Sequence, residues 1–466
     1  MTAAQLPALS RGPNALPKAP VRIVHVGLGA FHRSHQAWYT QHASDAAEWG
    51  IAAFTGRRPD AALALAAQDG LYTLIERSDD GDSFEVIGSI VEASDGADVG
   101  RLAELLAAPA TAIVTLTITE AGYGLGRDGT LDNSSSAVAA DIESLREPDG
   151  GTPATPLGRL VLGLAARRTV GGGPIAVVSC DNLADNGNVA RAAVCGMAEA
   201  WDPGLAAWIK ENVSFVGTSV DRITPRTTEA DVAAVAEACG HRDTTPVVAE
   251  PFHNWILSGG FPAGRPRWEE SGALFVDDIE PYENRKLWLL NGAHSMLAYA
   301  GGLVGHTTVA EALGDGRCLS AVEALWDEAS AHLTGPGLRI SEYRAALLER
   351  FSNSRIAHHL SQIAMDGTTK LRMRAVPVLR AERAVGRTGE GAARMIAAWI
   401  DYVGATSDIH DPLAADIASA NSQDGDRRLT ALLSLVSPEL ARDPGITALV
   451  RSLCGTFTGA YTPANP

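Results

Sequence analysis

Val21-Arg22-Ile23-Val24-His25-Val26-Gly27-Leu28-Gly29-Ala30-Phe31-His32-Arg33 is the stretch from which the fold follows. Residues 21–26 are mostly β-branched and apolar, the pattern of a buried strand. Gly27 and Gly29 end it, and a helix-compatible run follows. Two glycines at that point let the backbone come close to a pyrophosphate. The third glycine of a G-x-G-x-x-G turn is replaced by His32. The fragment alone fits a dinucleotide turn or a plain tight strand-to-helix turn. Its place after an N-terminal strand favours the nucleotide. His32 and His35 have metal-compatible H-x-x-H spacing, but no third ligand follows, so packing or phosphate contact is the better reading.

Before this strand, residues 1–20 read as an irregular lead-in with Pro7, Pro13, Pro17 and Pro20. They hold no apolar run of the kind a signal peptide carries. After it, strands are expected at Ile51–Thr55, Ala112–Thr119, Ile175–Ser179 and Val213–Thr218. Amphipathic helical runs lie between them at Asp60–Gln68, Gly100–Ala108 and Pro156–Arg168. Leu125–Pro156 and Thr169–Pro174 read as surface loops. Alternating strands and helices imply a doubly wound parallel sheet. Past Pro281 the strand signals fade, and helical runs dominate at Leu319–Leu333, Ser341–Phe351, Gly391–Tyr402 and Asp426–Leu435. A boundary between Glu270 and Glu280 divides the chain into an α/β dinucleotide-binding domain, 21–279, and a mostly α-helical domain, 280–466.

Composition limits the partners. The 466 residues are 46% hydrophobic and 20% charged, which is ordinary for a globular protein. Lys plus Arg number 38 and Asp plus Glu 55, so the net charge is 38 − 55 = −17. Such a protein is a poor partner for nucleic acid or an anionic membrane. No run approaches the length of a membrane span. The five cysteines are scattered without C-x-x-C spacing, which argues against a disulfide framework or structural zinc and for a cytoplasmic setting. The expected assembly is a monomer or small homo-oligomer.

Three segments carry candidate chemistry. Beyond the second strand the order is Thr55-Gly56-Arg57-Arg58-Pro59-Asp60. A ribose-binding acid usually stands at that strand end. Asp60 comes a little late, and Arg57 or Arg58 can pair with a 2′-phosphate, so NAD is expected while NADP stays open. Ser179-Cys180-Asp181-Asn182, with Asp185-Asn186-Gly187, follows a strand at the edge where α/β folds bind ligands. Asn and Asp are also common turn residues. The densest cluster runs from Tyr282 to His294. As an α-helix it places Lys286 at 0°, His294 at about 80° and Asn291 at about 140°. Converging Lys, Asn and His beside apolar residues suit a cavity, though a solvated polar stripe gives the same spacing. A desolvated lysine can act as general acid/base, and Asn and His can hold the reacting oxygen.

Taken together, GLGAFHRSHQ, QDGLYTL, TLTITEAGYG, SCDNLADNG, VDRITPRT, AEPFHNWIL and KLWLLNGAHS resemble the long-chain polyol dehydrogenases of the mannitol dehydrogenase family, from about Val21 to the C-terminal region. The family's turn is Gly-x-Gly-x-Phe-His, which accounts for His32. The resemblance implies a Rossmann-type N-terminal domain, a helical C-terminal domain and substrate between them. It implies metal-independent hydride transfer between NAD(P) and a polyol or sugar carbonyl. Lys286 matches the catalytic lysine. Asn291, His294 and Asn182 match groups that hold the oxygen, and Asp221 matches a substrate contact. Gly27, Gly29, Phe31, His32, Arg58, Asp60, Glu120 and Asn182 are the expected cofactor contacts.

Gln362 stands where mannitol dehydrogenases tend to carry Arg, while Lys370 is kept. The run Gln362-Ile363-Ala364-Met365-Asp366-Gly367 is more similar to fructuronate reductases. Arg372 and Arg374 are further anion contacts or members of a solvated helix face. The expected substrate pair is therefore D-fructuronate and D-mannonate, with mannitol or arabinitol as the alternative. A catalytically silent, dinucleotide-bound sugar sensor is a third reading. The presence of Lys286, Asn291 and His294 together weighs against it.

Overall fold

The computed structural model describes residues 6–12, 17–147 and 151–458. Parts of the expected lead-in (1–5 and 13–16) and of the expected Leu125–Pro156 loop (148–150) lie outside the described residues. The chain divides into two compact units, Met1–Ile279 and Glu280–Pro466.

Among the described residues the first unit holds eleven strands: β1 (Val21–Val26), β2 (Gly50–Phe54), β3 (Tyr72–Ser78), β4 (Gly81–Ile87), β5 (Ile90–Ser94), β6 (Ile113–Leu116), β7 (Ile175–Ser179), β8 (Val213–Asp221), β9 (Val247–Ala249), β10 (Asn254–Ser258) and β11 (Leu274–Phe275). Eight of them form one sheet in the order β11-β10-β8-β7-β6-β1-β2-β5. The run from β8 to β5 is parallel, and β10 joins β8 antiparallel. A second sheet has the order β4-β3-β9.

Alternation along β1 shows why both faces of the main sheet must be covered. Val24 and Val26 enter one apolar core with Phe54, Val114 and Leu116. Ile23 enters the other with Ile51, Ala53 and Ile113. The helices Pro156–Val170 and Asn186–Trp201 close the first face with Leu160, Leu164, Ala193 and Met197. Trp255 and Trp268 fill the second. This is the Rossmann-type doubly wound arrangement expected from the alternating pattern.

The observed strands depart from the expected ones at their ends. β6 covers only Ile113–Leu116 of the apolar run; next to it Thr117 N still donates to Val26 O at 3.0 Å while its side chain bonds Gly27 O. β8 runs on to Asp221, where antiparallel pairing with β10 continues the ladder. The expected Leu125–Pro156 loop contains a helix, Ser136–Leu145, which buries Val138, Ile142 and Leu145. Described lead-in residues are pinned to the first unit. Leu9 N donates to Arg242 O, and Arg11 bonds Asp69 and the backbone of Gly88 and Ile90.

The second unit is helical and built around Gly292–Leu303, whose residues 292–301 are all buried. A helix apolar on every side must be enclosed. The helices Leu360–Ala364, Val309–Gly314, Gly316–Ser330 and Glu390–Ala405 enclose it. No helix among the described residues is long and apolar enough to cross a membrane.

Asp243 ties the small sheet to the first unit. Its fully buried carboxylate accepts from Gln68 Nε2 at 2.9 Å, Thr245 N at 2.8 Å and Thr73 N at the start of β3. Asp243→Ala leaves these donors unsatisfied, and we expect it to lower the unfolding free energy by about 3 kcal/mol. Denaturant titration of the variant checks this through a lower midpoint at unchanged slope.

Candidate active site

In the first unit the site-forming loops leave the carboxyl ends of β1, β6, β7 and β8. Gly27 has φ of +111°, and a Cβ there would lie 2.0 Å from Thr117 O, so only glycine fits against the end of β6. Thr117 Oγ1 donates to Gly27 O at 2.8 Å, and both Gly27 N and Leu28 N donate to Phe54 O. Gly29 differs. A Cβ on it would meet only Gly27 O, at 3.6 Å, so its open side is free for a ligand backbone or phosphate to approach.

His25 and His32 stack beneath the turn, with ring centroids 3.3 Å apart and planes 8° from parallel. Burial drives the His25 pKa down to about 3, and burial followed by repulsion from His25 drives His32 well below its usual value. Both are therefore neutral rings. His32 is fully buried beneath the turn, and its Nε2 has no hydrogen-bond partner. Phe31 is half-buried against His35, with centroids 5.0 Å apart.

Glu120 is exposed at the start of the 3-10 turn after β6. Beyond β2, Arg58 and Asp60 are largely exposed and pair weakly at 3.5 Å. Asn182 is exposed just past β7, and Asp221 is half-buried at the end of β8. Two neighbours of these residues were missed as site groups. Asp181 accepts from Ile118 N at 2.6 Å, Ser179 Oγ at 3.2 Å and Tyr123 OH, which fastens the Asn182 loop to the loop after β6. Arg222 donates to Glu250 O at 2.9 Å, Ser34 O at 2.6 Å and the Glu76 carboxylate, which fixes the backbone beside Asp221. Both stood in the quoted S-C-D-N and V-D-R-I-T-P runs, and their polarity beside apolar strands was the available signal.

In the second unit the Tyr282–His294 cluster is not a continuous α-helix. Glu280–Arg285 is α-helical, Lys286–Asn291 is a π-helix, and the α-helix resumes at Gly292. An i→i+5 turn sets the fifth residue about where the fourth lies in an α-helix, about 40° round instead of about 140°. The π turn thus brings Asn291 closer to the direction of Lys286 than the α-helical reading, which had put the two toward one side about 140° apart.

His294 is buried, with its ring 4.7 Å from both Phe351 and His358, and its Nε2 has no hydrogen-bond partner. Burial, then the charges of His358, Arg350, Arg374 and Lys370, hold its pKa well below the usual value. It is a neutral imidazole with an unused ring nitrogen, suited to an oxygen of a ligand.

Arg374 donates from Nη1 to Asn291 O at 3.1 Å and to Ser295 Oγ at 2.9 Å. Burial lowers its pKa to about 10. Lys370, one turn earlier, donates to Ile363 O at 3.0 Å, and burial with the neighbouring Arg374 lowers its pKa. Arg372 is exposed and bonds the carbonyls of Leu435 and Val436. Gln362 precedes Ile363, whose carbonyl Lys370 bonds. It is exposed and lines a cavity of about 350 Å³ with Trp399, Tyr402 and His410. No group of three or more His, Cys, Asp or Glu among the described residues could hold a metal ion.

Comparison with known proteins places the chain in the mannitol dehydrogenase family. Residues 21–270 match the mannitol dehydrogenase Rossmann domain, and residues 278–453 match the mannitol dehydrogenase C-terminal domain. The D-mannonate oxidoreductase of Escherichia coli K12 is 38% identical over 459 residues, covering 93% of each chain. A D-sorbitol dehydrogenase crystal structure is 32% identical with a TM-score of 0.84, covering 96% of this chain and 98% of that one. The Pseudomonas fluorescens mannitol 2-dehydrogenase, solved with NAD and D-mannitol, is 34% identical with a TM-score of 0.74, covering 98% of this chain and 93% of that one.

Burial raises the Asp181 pKa to about 6, against the lowering effect of its hydrogen bonds. A carboxyl whose folded pKa is raised lends stability below its unfolded pKa of about 4 and loses it as pH rises through the folded value. Unfolding free energy measured from pH 4 to pH 7 should therefore include a loss centred between about pH 4 and pH 6 that Asp181→Asn lacks. An identical slope in the variant would contradict the assignment.

Proposed function

The chain belongs to the mannitol dehydrogenase family, and from that premise we propose that it is a cytoplasmic, NAD-dependent oxidoreductase that interconverts D-fructuronate and D-mannonate. Family membership makes it an oxidoreductase acting on CH–OH donors. The observation that carries the catalytic assignment is the π turn, which sets Lys286 and Asn291 in register ahead of the neutral, partnerless His294 Nε2.

The first unit's residues fit a dinucleotide. Gly27 closes the turn against β6, and the open side of Gly29 leaves room for the pyrophosphate. When bound, the nicotinamide supplies or accepts the hydride. Lys286 takes the proton from the substrate hydroxyl in oxidation and returns it to the carbonyl oxygen in reduction. Asn291 donates to that oxygen as negative charge develops on it. His294, neutral at working pH, orients the same oxygen through Nε2. Asp221 is held by the neighbouring Arg222 network to contact a substrate hydroxyl.

Electrostatics support a sugar acid over a neutral polyol. Three permanently or readily charged cations, Arg350, Arg374 and Lys370, act on His294 together with His358. Asp366 and Asp411 offset part of the Lys370 charge. A carboxylate is the ligand that such a field favours. Mannitol or arabinitol as substrate is the second reading, supported by the NAD and D-mannitol complex of the Pseudomonas relative. Five free cysteines suit a reducing compartment.

NADH and NADPH consumption with D-fructuronate, D-fructose, D-tagaturonate and D-xylulose tests the assignment. Fast turnover with D-fructuronate and NADH is expected, and preference for D-fructose would replace the sugar acid by the polyol. Lys286→Ala should bind NADH as the wild type does and lose on the order of 10²–10⁴ in turnover.

A further inference from the structure

Side chains from two other helices of the second unit hold the π turn. Gly292 N–H reaches Leu287 O, five residues back, the bond that defines the π turn, and also Leu289 O. Trp326, on the Gly316–Ser330 helix, donates its indole N–H to Leu289 O at 2.7 Å. Arg374, on the Gly367–Arg374 helix, donates to Asn291 O at 3.1 Å. Both acceptors are carbonyls of the Lys286–Asn291 segment. π-Helices are rare, and the displaced ladder of such a turn gains from donors outside it.

Trp326 is almost wholly buried, so its N–H needs an acceptor as much as the π turn needs a donor. Its ring also lies 6.4 Å from Phe351, which packs 4.7 Å from His294. The neighbouring Leu325 packs on Gly292, where a Cβ would come within 3.3 Å of its Cδ2. The Gly316–Ser330 helix therefore grips the point at which the π turn returns to α-helix.

We infer that Trp326 is a positioning residue of the reaction: its indole N–H keeps residues 286–291 in the π form and thereby keeps Lys286 in register with Asn291. Arg374 assists from the Asn291 carbonyl, two residues on. Relaxation to a regular α-helix would carry Lys286 about 100° round the axis relative to Asn291. This inference rests on the assignment of Lys286 and Asn291 made above.

Trp326→Phe keeps the ring and removes the N–H. Hydrogen exchange of residues 286–294 in the unliganded full chain should rise about tenfold, while the rest of the second unit is unchanged. With the ketose that the wild type reduces, kcat should fall about tenfold, with KM and the NADH Kd within about twofold. In an Asn291→Ala background the same change should cost less than about twofold, because the register it protects no longer matters. Unchanged local exchange would overturn the inference, as would unchanged kcat or equal losses in the two backgrounds. A lower melting temperature with normal kcat would make Trp326 merely structural and overturn it too. The exchange measurement needs no substrate, so its failure is separable from failure of the sugar-acid assignment.

Discussion

Donors from Trp326 and Arg374 to the carbonyls of Leu289 and Asn291 hold open the turn on which the chemistry depends. Without the π turn, Lys286 and Asn291 would stand about 140° apart on one helix. With it, Lys286 and Asn291, the proposed proton-transfer and oxygen-holding groups, share a side, and His294 follows three residues on. The enclosed Gly292–Leu303 helix gives this arrangement a rigid base. Its residues are buried on all sides, so it cannot rotate without disrupting four helices.

The first unit solves a different problem. A strand-to-helix turn must come close to an anion without side chains in the way. Gly27 satisfies the packing half of that demand, since Thr117 O fills the space a Cβ would need. Gly29 leaves its own side open, as the proposed binding half requires. Beneath them two stacked neutral imidazoles, His25 and His32, fill the space between β1 and the first helical turn. Burial keeps them uncharged, which avoids two adjacent buried cations.

Much of this was legible in the sequence. Periodicity located β1, β2, β6, β7 and β8, because parallel strands buried on both faces are near-continuous apolar runs. It missed β3, β4, β5, β9, β10 and β11, which lie in the second sheet or toward the edges of the main one and are short or mix polar with apolar residues. The polar cluster from Lys286 to His294 was legible as residue types and illegible as geometry. A π turn is set by outside donors such as Trp326, 37 residues away, and local spacing does not report it. Asp181 and Arg222 were hidden likewise, because their roles come from partners such as Tyr123 and Glu76 on other loops. Arg374 read as an anion contact, and the fold gives its Nη1 to Asn291 and Ser295.

Proton transfer by Lys286 is the central claim, and chemical rescue tests it most directly. Ketose reduction by Lys286→Ala is followed with NADH at saturation while small primary amines of graded basicity are added. The account predicts very slow turnover alone, and recovery with added amine that tracks the amine's pKa. Near-wild-type turnover of the variant in the absence of amine would contradict it.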